Sequence, residues 1–256
     1  MSAEIGRAVE ILRAAGLVAV LSGAGASQES GIPTFREAQT GLWARYDPQQ
    51  LATPAAFRRD PRLVWEWYAY RRELVQSVAP NPGHHAIAAL EGLVPQVVVL
   101  TQNVDGLHQA AGSRDVVELH GNILRTKCAA GCRGEPTPVD PDRLSPAERD
   151  ATPPRCPHCG GTLRPDVVWF GEALPADAIQ RAYEVSAACD AMIVVGTSGV
   201  VYPAAALPAV AREAGAPVIE VNPEPGGVTA LATVFLQGRG GDLLPQLVGA
   251  LRPNDD

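Results

Sequence analysis

An α/β fold built on a doubly wound parallel sheet, with a second and smaller domain, is what three features of this sequence predict. Short β-branched runs recur along the chain with helix-like segments between them. The first, "LVAVLS", is a continuous apolar run instead of an alternating one, as expected of a strand covered on both faces. Two stretches break the pattern, one aromatic and Arg-rich, the other rich in Pro, Gly and Cys.

The elements follow in order. In "EIGRAVEILRAA" (4–15), Ile5, Val9 and Leu12 recur at helical spacing, and Gly16 ends the helix. "LVAVLS" (17–22), "QVVVLT" (96–101), "AMIVVGT" (191–197) and "PVIEVN" (217–222) read as buried strands, with helix-like segments at 84–91 and 204–214. The exceptions are 37–80, with a helical pattern in "PRLVWEWYAYRRELVQSV", and 123–165, with little periodicity. Both read as insertions that together build the small domain. The sheet domain is then expected from 1–36, 81–122 and 166–256.

Composition narrows the function classes. The 256 residues carry a net charge of −7, which argues against direct nucleic-acid binding. No apolar stretch reaches the roughly 18 residues that span a bilayer, so no membrane partner is expected. The run "AAGLVAVL" (14–21) follows Glu4 and Glu10 beside Arg7 and Arg13 and lacks the basic start of a secretion signal, which points to the cytoplasm. Four of the five cysteines are closely paired in sequence, which in such a chain means metal more than disulfide.

"LSGAGASQESGIPTFR" (21–36) follows the first strand. Gly23, Ala24 and Gly25 would let the backbone approach a phosphate, and a helix N-terminus after them would favour its charge; a tight turn is the plainer reading. The third glycine of a dinucleotide fingerprint falls at Gln28, and no acidic ribose partner follows about twenty residues on, so a hydride-transferring dehydrogenase is disfavoured. Phe35 and Arg36 could cover a nicotinamide or a pyrophosphate; they could equally be core and surface. The other strand ends carry Gln102, Asn103 and Asp105, then Gly196, Thr197 and Ser198, then Asn222 and Glu224. Each alone is ordinary turn chemistry. Together, at the carboxyl ends of one sheet, they favour a nucleotide site.

Cys128 and Cys132, then Cys156 and Cys159, form two pairs with 23 residues between them, a strong pattern for structural zinc. Four thiolates close the shell, so the metal serves folding. His158 is then a surface residue, and Cys189 a small buried hydrophobe. His120, in "VVELHGN" (116–122), is not needed as a ligand and sits at a strand end, where catalytic groups collect.

"GAGASQESGIPTFR", "TQNVDGLH", "ELHGN", the cysteine quartet, "VVWFGE", "GTSGVVYPA" and "VNPE" occur in the order found in sirtuins. The resemblance runs from about residue 5 to 250. It implies a Rossmann-like NAD-binding domain, a small domain from a helical and a zinc-binding insertion, and NAD-dependent removal of acyl groups from protein lysines. NAD is consumed, giving nicotinamide and O-acyl-ADP-ribose. Phe35 and Arg36 would lie near the nicotinamide ribose, and Gln102, Asn103 and Asp105 would line the nicotinamide pocket. Thr197, Ser198, Asn222, Glu224 and the backbone of Gly240 would hold the adenosine side. Val168, Trp169, Phe170, Gly171 and Glu172 would pair as a strand with the acylated peptide. His120 would be the general base, taking a proton from a ribose hydroxyl. The enzyme is expected to act as a monomer on acylated-lysine peptides or proteins.

Tyr68 and Arg71, three apart on one helix face, make a carboxylate clamp. The resemblance is to the sirtuin branch that removes succinyl and malonyl groups with a Tyr-x-x-Arg pair here, and Ala52 matches the small residue that widens its acyl pocket. Core packing of Tyr68 and a solvated Arg71 are the alternative. Two departures are the wider first cysteine pair and Ala26, where the family commonly has a larger apolar residue. A protein mono-ADP-ribosyltransferase on the same scaffold and a non-catalytic NAD sensor are the rival functions.

Overall fold

The structure, a computed structural model, describes residues 2–34 and 47–252. Eight strands follow one another: β1 (Leu17–Ser22), β2 (Gln96–Thr101), β3 (Val116–Glu118), β4 (Gly121–Cys128), β5 (Leu163–Val167), β6 (Ala191–Val195), β7 (Val218–Asn222) and β8 (Val234–Gln237). The chain divides into a larger unit of 1–34, 78–119 and 175–256 and a smaller one of 35–77 and 120–174. Residues 120–122 and 166–174 therefore fall in the smaller unit and not, as expected, with the sheet. The reason is pairing: β4 and β5 form an antiparallel ribbon that carries its flanking residues with it.

In the larger unit six parallel strands run in the order β3-β2-β1-β6-β7-β8. Strand order reverses between β1 and β6, which is where doubly wound sheets bind ligands. On one face Val18, Val20, Val97, Val99, Ile193, Val195, Ile219 and Val221 meet helices Ala3–Ala14, Pro82–Leu90 and Gly240–Leu251. Helices Ala176–Ala188 and Leu207–Glu213 pack on each other and on β1, β6 and β7. Coverage of both faces explains the unbroken apolar strands. The first helix starts where the Ser2 hydroxyl accepts the Ile5 N–H, and it buries Ile5, Ala8, Val9 and Leu12. Truncating Leu12 to alanine would cost about 2–5 kcal/mol. β8 was not read from the sequence, because its four residues, two of them not fully buried, give no long apolar run. No helix among the described residues is long and apolar enough to cross a membrane.

In the smaller unit the long helix spans Pro61–Gln76. Asp60 caps it by accepting the Leu63 N–H, and Pro61 supplies a preset first turn. It buries Val64, Trp67, Tyr68 and Val75, and Arg72 donates from Nε to the Ile123 carbonyl of β4 at 2.9 Å. Cys128, Val139, Leu144, Cys156 and Leu163 pack together against Trp65.

Candidate functional site

In the larger unit, the loops after β1 and β6 interlock backbone to backbone. Gly23 donates to the Val195 carbonyl (3.1 Å) and Gly25 to the Gly196 carbonyl (2.8 Å). A Cβ on Gly23 would lie 2.8 Å from the Thr197 Cβ, and one on Gly25 2.9 Å from the Gly196 oxygen. Gly196 has φ +61, and a Cβ there would collide with the Ala26 nitrogen. These glycines are thus required by the approach of two loops. Two of the N–H groups expected to meet a phosphate are spent inside the protein, and the helix after them is a single turn, Gly25–Gln28. Ala26 is buried in the core of this unit.

Around this seam stand the predicted polar residues. Gln102 donates from Nε2 to the Thr197 hydroxyl at 3.1 Å, and Asn222 donates from Nδ2 to the Thr197 carbonyl at 3.1 Å. Asn103 is buried; its Nδ2 donates to the Gly23 carbonyl and to the Ser27 hydroxyl, both at 3.0 Å. Asp105, also buried, accepts the Leu107 N–H at 2.9 Å. Ser198 accepts the Gly227 N–H on its carbonyl (3.1 Å). Glu224 is exposed. Gly240 starts the last helix beside Val195, whose Cγ2 would lie 3.0 Å from a Cβ there. Ala24 is exposed at the turn. Phe35 and Arg36 lie outside the described residues.

Behind the seam runs a polar network that sequence reasoning missed. The Ser22 hydroxyl lies 2.8 Å from both the Thr101 hydroxyl and the His108 Nε2. The Ser27 hydroxyl is 3.4 Å from the His84 Nε2, and the two imidazoles meet edge to face with centroids 4.9 Å apart. Burial pushes the His108 pKa down to about 3 and that of His84 to about 4, each lowered further by a neighbouring histidine. Both rings are neutral at neutral pH. The signal available was the pairing of "NPGHH" with "GLH", two histidines beside helix starts, but nothing local says they meet.

In the smaller unit, the four predicted cysteines converge, with all four sulfurs within 4.8 Å of one another. Cys128 and Cys159 are 3.6 Å apart and Cys132 and Cys156 3.9 Å apart. Four sulfurs on a tetrahedral zinc at about 2.3 Å would be roughly 3.8 Å apart, so the quartet fits one zinc ion. The extra residue of the first pair is taken up in a turn at Gly131, φ +56. His158 is exposed and outside the quartet, and Cys189 of the larger unit is buried, its thiol pushed up to about 11 by burial.

His120, half-buried, opens the second segment of the smaller unit. Its carbonyl accepts the Val168 N–H (2.9 Å), and Gly121, at φ +78, presses on the Asp166 carbonyl so closely that no side chain fits. The turn thus pins the His120 backbone to the end of β5. β5 ends at Val167, and Val168–Glu172, the segment expected to pair with a peptide, bends into a turn closed by the Glu172 N–H on the Trp169 carbonyl (3.0 Å). Phe170 donates to the Ala52 carbonyl (2.9 Å), and Gly171 turns the chain at φ +88. Glu172 causes the bend, because its Oε2 accepts the Trp169 N–H at 2.8 Å and its carboxylate pairs with both terminal nitrogens of Arg164 at 2.6 and 2.8 Å.

Tyr68 and Arg71 share a helix face as predicted. Tyr68 is fully buried, and its hydroxyl accepts the Trp169 indole N–H at 3.0 Å. The Arg71 guanidinium lies 5.0 Å from the Trp67 ring and 5.9 Å from the Tyr68 ring. Ala52 is buried. A helix residue pair, the Ala52 backbone and the Trp169 turn therefore lie together in one unit.

The sequence profile of the Sir2 family matches residues 23–203. The chain is 56% identical over 229 residues to NAD-dependent protein deacylase 2 of Pyrobaculum aerophilum, covering 90% of this chain and 88% of the relative. It is 52% identical over 241 residues to NAD-dependent protein deacylase 1 of Pseudomonas aeruginosa, covering 94% and 96%. A solved complex of a Sir2 homolog with NAD superposes with a TM-score of 0.87 at 42% identity, covering 96% of this chain and 93% of that one.

Proposed function

The chain belongs to the Sir2 family and is an NAD-dependent protein deacylase, and we propose that it prefers acyl groups ending in a carboxylate, succinyl and malonyl, while also removing acetyl. The observation that carries this reading is the Tyr68–Arg71 pair. A fully buried phenol and a guanidinium share one helix face beside the turn that bears Trp169 and Phe170. A phenol and a guanidinium together match a carboxylate in charge and in hydrogen-bond donors. An acetyl group offers them nothing to hold.

The remaining roles belong to the same reading. Gly23, Ala24, Gly25, Gln102, Asn103, Asp105, Gly196, Thr197, Ser198, Asn222, Glu224 and Gly240 bind NAD, supported by their clustering where strand order reverses. NAD supplies the ADP-ribosyl group that takes up the acyl oxygen, and nicotinamide departs. His120 accepts a proton from a ribose hydroxyl, a step suited to a neutral imidazole. Val168–Glu172 and Ala52 receive the acylated peptide. Since four of this segment's N–H groups are engaged within the protein, the peptide pairs with its carbonyls or reopens the turn. Cys128, Cys132, Cys156 and Cys159 hold zinc and take no part in the reaction. The enzyme acts as a monomer in the cytoplasm, where reducing conditions keep a four-thiolate site intact. Peptide substrates are supported by a Sir2–p53 peptide–NAD+ structure, 30% identical with a TM-score of 0.84. A second reading, long apolar acyl groups, is favoured by the structure of a 37% identical relative bound to a myristoylated histone peptide.

One experiment separates these readings: kcat/KM on a single peptide carrying succinyl-, acetyl- or myristoyl-lysine, with and without NAD. NAD-dependent preference for succinyl is expected. Preference for myristoyl would replace the clamp by an apolar tunnel, and preference for acetyl would leave Tyr68 and Arg71 as packing residues. Release of nicotinamide without deacylation would favour ADP-ribosyl transfer.

A further inference from the structure

The Tyr68 hydroxyl has an unusual balance of partners. A phenol offers one hydrogen and accepts on its oxygen, whereas an indole nitrogen only donates. The 3.0 Å contact between Trp169 Nε1 and Tyr68 Oη therefore fixes Tyr68 as the acceptor in that bond. Its own hydrogen must point elsewhere, and no acceptor among the described residues takes it. Tyr68 is 0% exposed and Trp169 2%. Buried hydroxyl groups are nearly always satisfied, so its acceptor lies outside the described residues, and the carboxylate of a bound acyl group would serve. Burial pushes the Tyr68 pKa up to about 12, with Arg71 opposing, so the phenol keeps its proton at working pH.

Trp169 is itself held from two sides. Glu172 accepts its backbone N–H at 2.8 Å, and the Arg164 guanidinium lies 3.3 Å from its ring centroid. Arg164 is almost wholly buried, is bidentate to Glu172, and also donates to the Val167 carbonyl at 2.8 Å. Nothing in the deacylation chemistry needs this ion pair directly. Its effect is to fix the indole.

We propose that Trp169 is the positioning residue of the acyl pocket: held by Arg164 and Glu172, it occupies the acceptor side of the Tyr68 hydroxyl and so turns that hydroxyl's hydrogen toward the carboxylate of a succinyl or malonyl group. This rests on the carboxylate-clamp reading given above and adds to it the residue that orients the clamp. Trp169 acts through Tyr68, and acyl discrimination comes from the pair.

The test compares wild type, Tyr68→Phe, Trp169→Phe and the double variant on succinyl-lysine and acetyl-lysine forms of one peptide with NAD. The readout is the ratio of the two kcat/KM values within each protein, so partial loss of folded enzyme cancels. Tyr68→Phe and Trp169→Phe are each expected to lower the succinyl-to-acetyl ratio about 3- to 10-fold, the range of one net hydrogen bond. In the double variant the second change should add nothing, because the group that Trp169 orients is already gone. If Tyr68→Phe lowers the ratio and Trp169→Phe leaves it, or the two effects simply multiply, the positioning role is wrong while the clamp stands. If Tyr68→Phe leaves the ratio unmoved, the clamp reading fails and this inference falls with it. Should Trp169→Phe not fold, Glu172→Gln, which loosens the grip on Trp169 without touching its ring, must lower the ratio; an unchanged ratio there also overturns the proposal.

Discussion

The sheet unit and the cysteine-bearing unit differ in the buried polarity they carry: mostly neutral groups in the first, ion pairs in the second. In the smaller unit buried charges sit in ion pairs, Arg164 with Glu172 and Lys127 with Glu135 at 2.6 Å and Asp166 at 3.6 Å, although the Arg164 Nε has no hydrogen-bond partner among the described residues. In the sheet unit the apolar core is continuous, and its buried polar groups are mostly neutral and hydrogen-bonded, as Ser22, Thr101 and Asn103 are. His84 and His108 form an uncharged seam, and Glu220 of β7, 1% exposed, has no hydrogen-bond partner for either carboxylate oxygen among the described residues. The difference teaches where each unit's shape comes from. A sheet covered on both faces has enough apolar area to tolerate a few poorly served polar atoms. A two-stranded ribbon with one long helix and a few short ones has less, and leans on metal and ion pairs.

Zinc removal should break this comparison most visibly. A four-thiolate site contributes on the order of 10 kcal/mol of folding free energy. Chelation, or Cys156→Ser, is expected to abolish hydrogen-exchange protection of β4 and β5 while β1, β2, β6 and β7 stay protected. Equal loss in both units would mean that they fold as one.

His120→Tyr should lower kcat about a thousandfold, within the range of a lost general base, while NAD binding by calorimetry persists. Retained turnover would remove His120 as the base. A loss of NAD binding would make His120 part of the cofactor site.

Acid should act on the histidine seam. Below about 6.5 the unfolded chain takes up protons at His84 and His108, whereas in the folded protein they stay neutral down to about 4 and 3. Their contribution is therefore complete above the unfolded value and is lost as pH falls from about 6.5 toward 4, at a cost on the order of a few kcal/mol. Unfolding curves between pH 7.5 and 4.5 should show it, and His108→Gln should flatten the slope. A parallel slope in that variant would place the acid sensitivity elsewhere.

Arg71→Met, which keeps length and removes charge, should lower succinyl kcat/KM by about tenfold more than acetyl kcat/KM, as expected for a hydrogen bond to a charged group. An equal loss on both substrates would make Arg71 a packing residue of the helix Pro61–Gln76.

The smallest effect concerns Glu220. Replacing it by Leu removes an unserved buried carboxyl, and should stabilise the sheet unit by about 1 kcal/mol, read as a rise in Tm. Destabilisation would show that the carboxyl has a partner outside the described residues.

By itself the sequence determined what local pattern can encode. Continuous β-branched runs announced strands covered on both sides, paired cysteines announced a metal, and small polar residues after each run marked one ligand-binding edge, because strand period, ligand spacing and turn chemistry are short-range properties. Only the tertiary structure decided the rest. Gly196 is tied to Ala26 across 170 positions, His84 to His108 across 24, and Tyr68 to Trp169 across 101. The turn at Val168–Glu172 is held by Glu172, which accepts the Trp169 N–H and pairs with Arg164. Contacts of this kind depend on which surfaces meet after the strands have paired, and no periodicity in the chain records that choice.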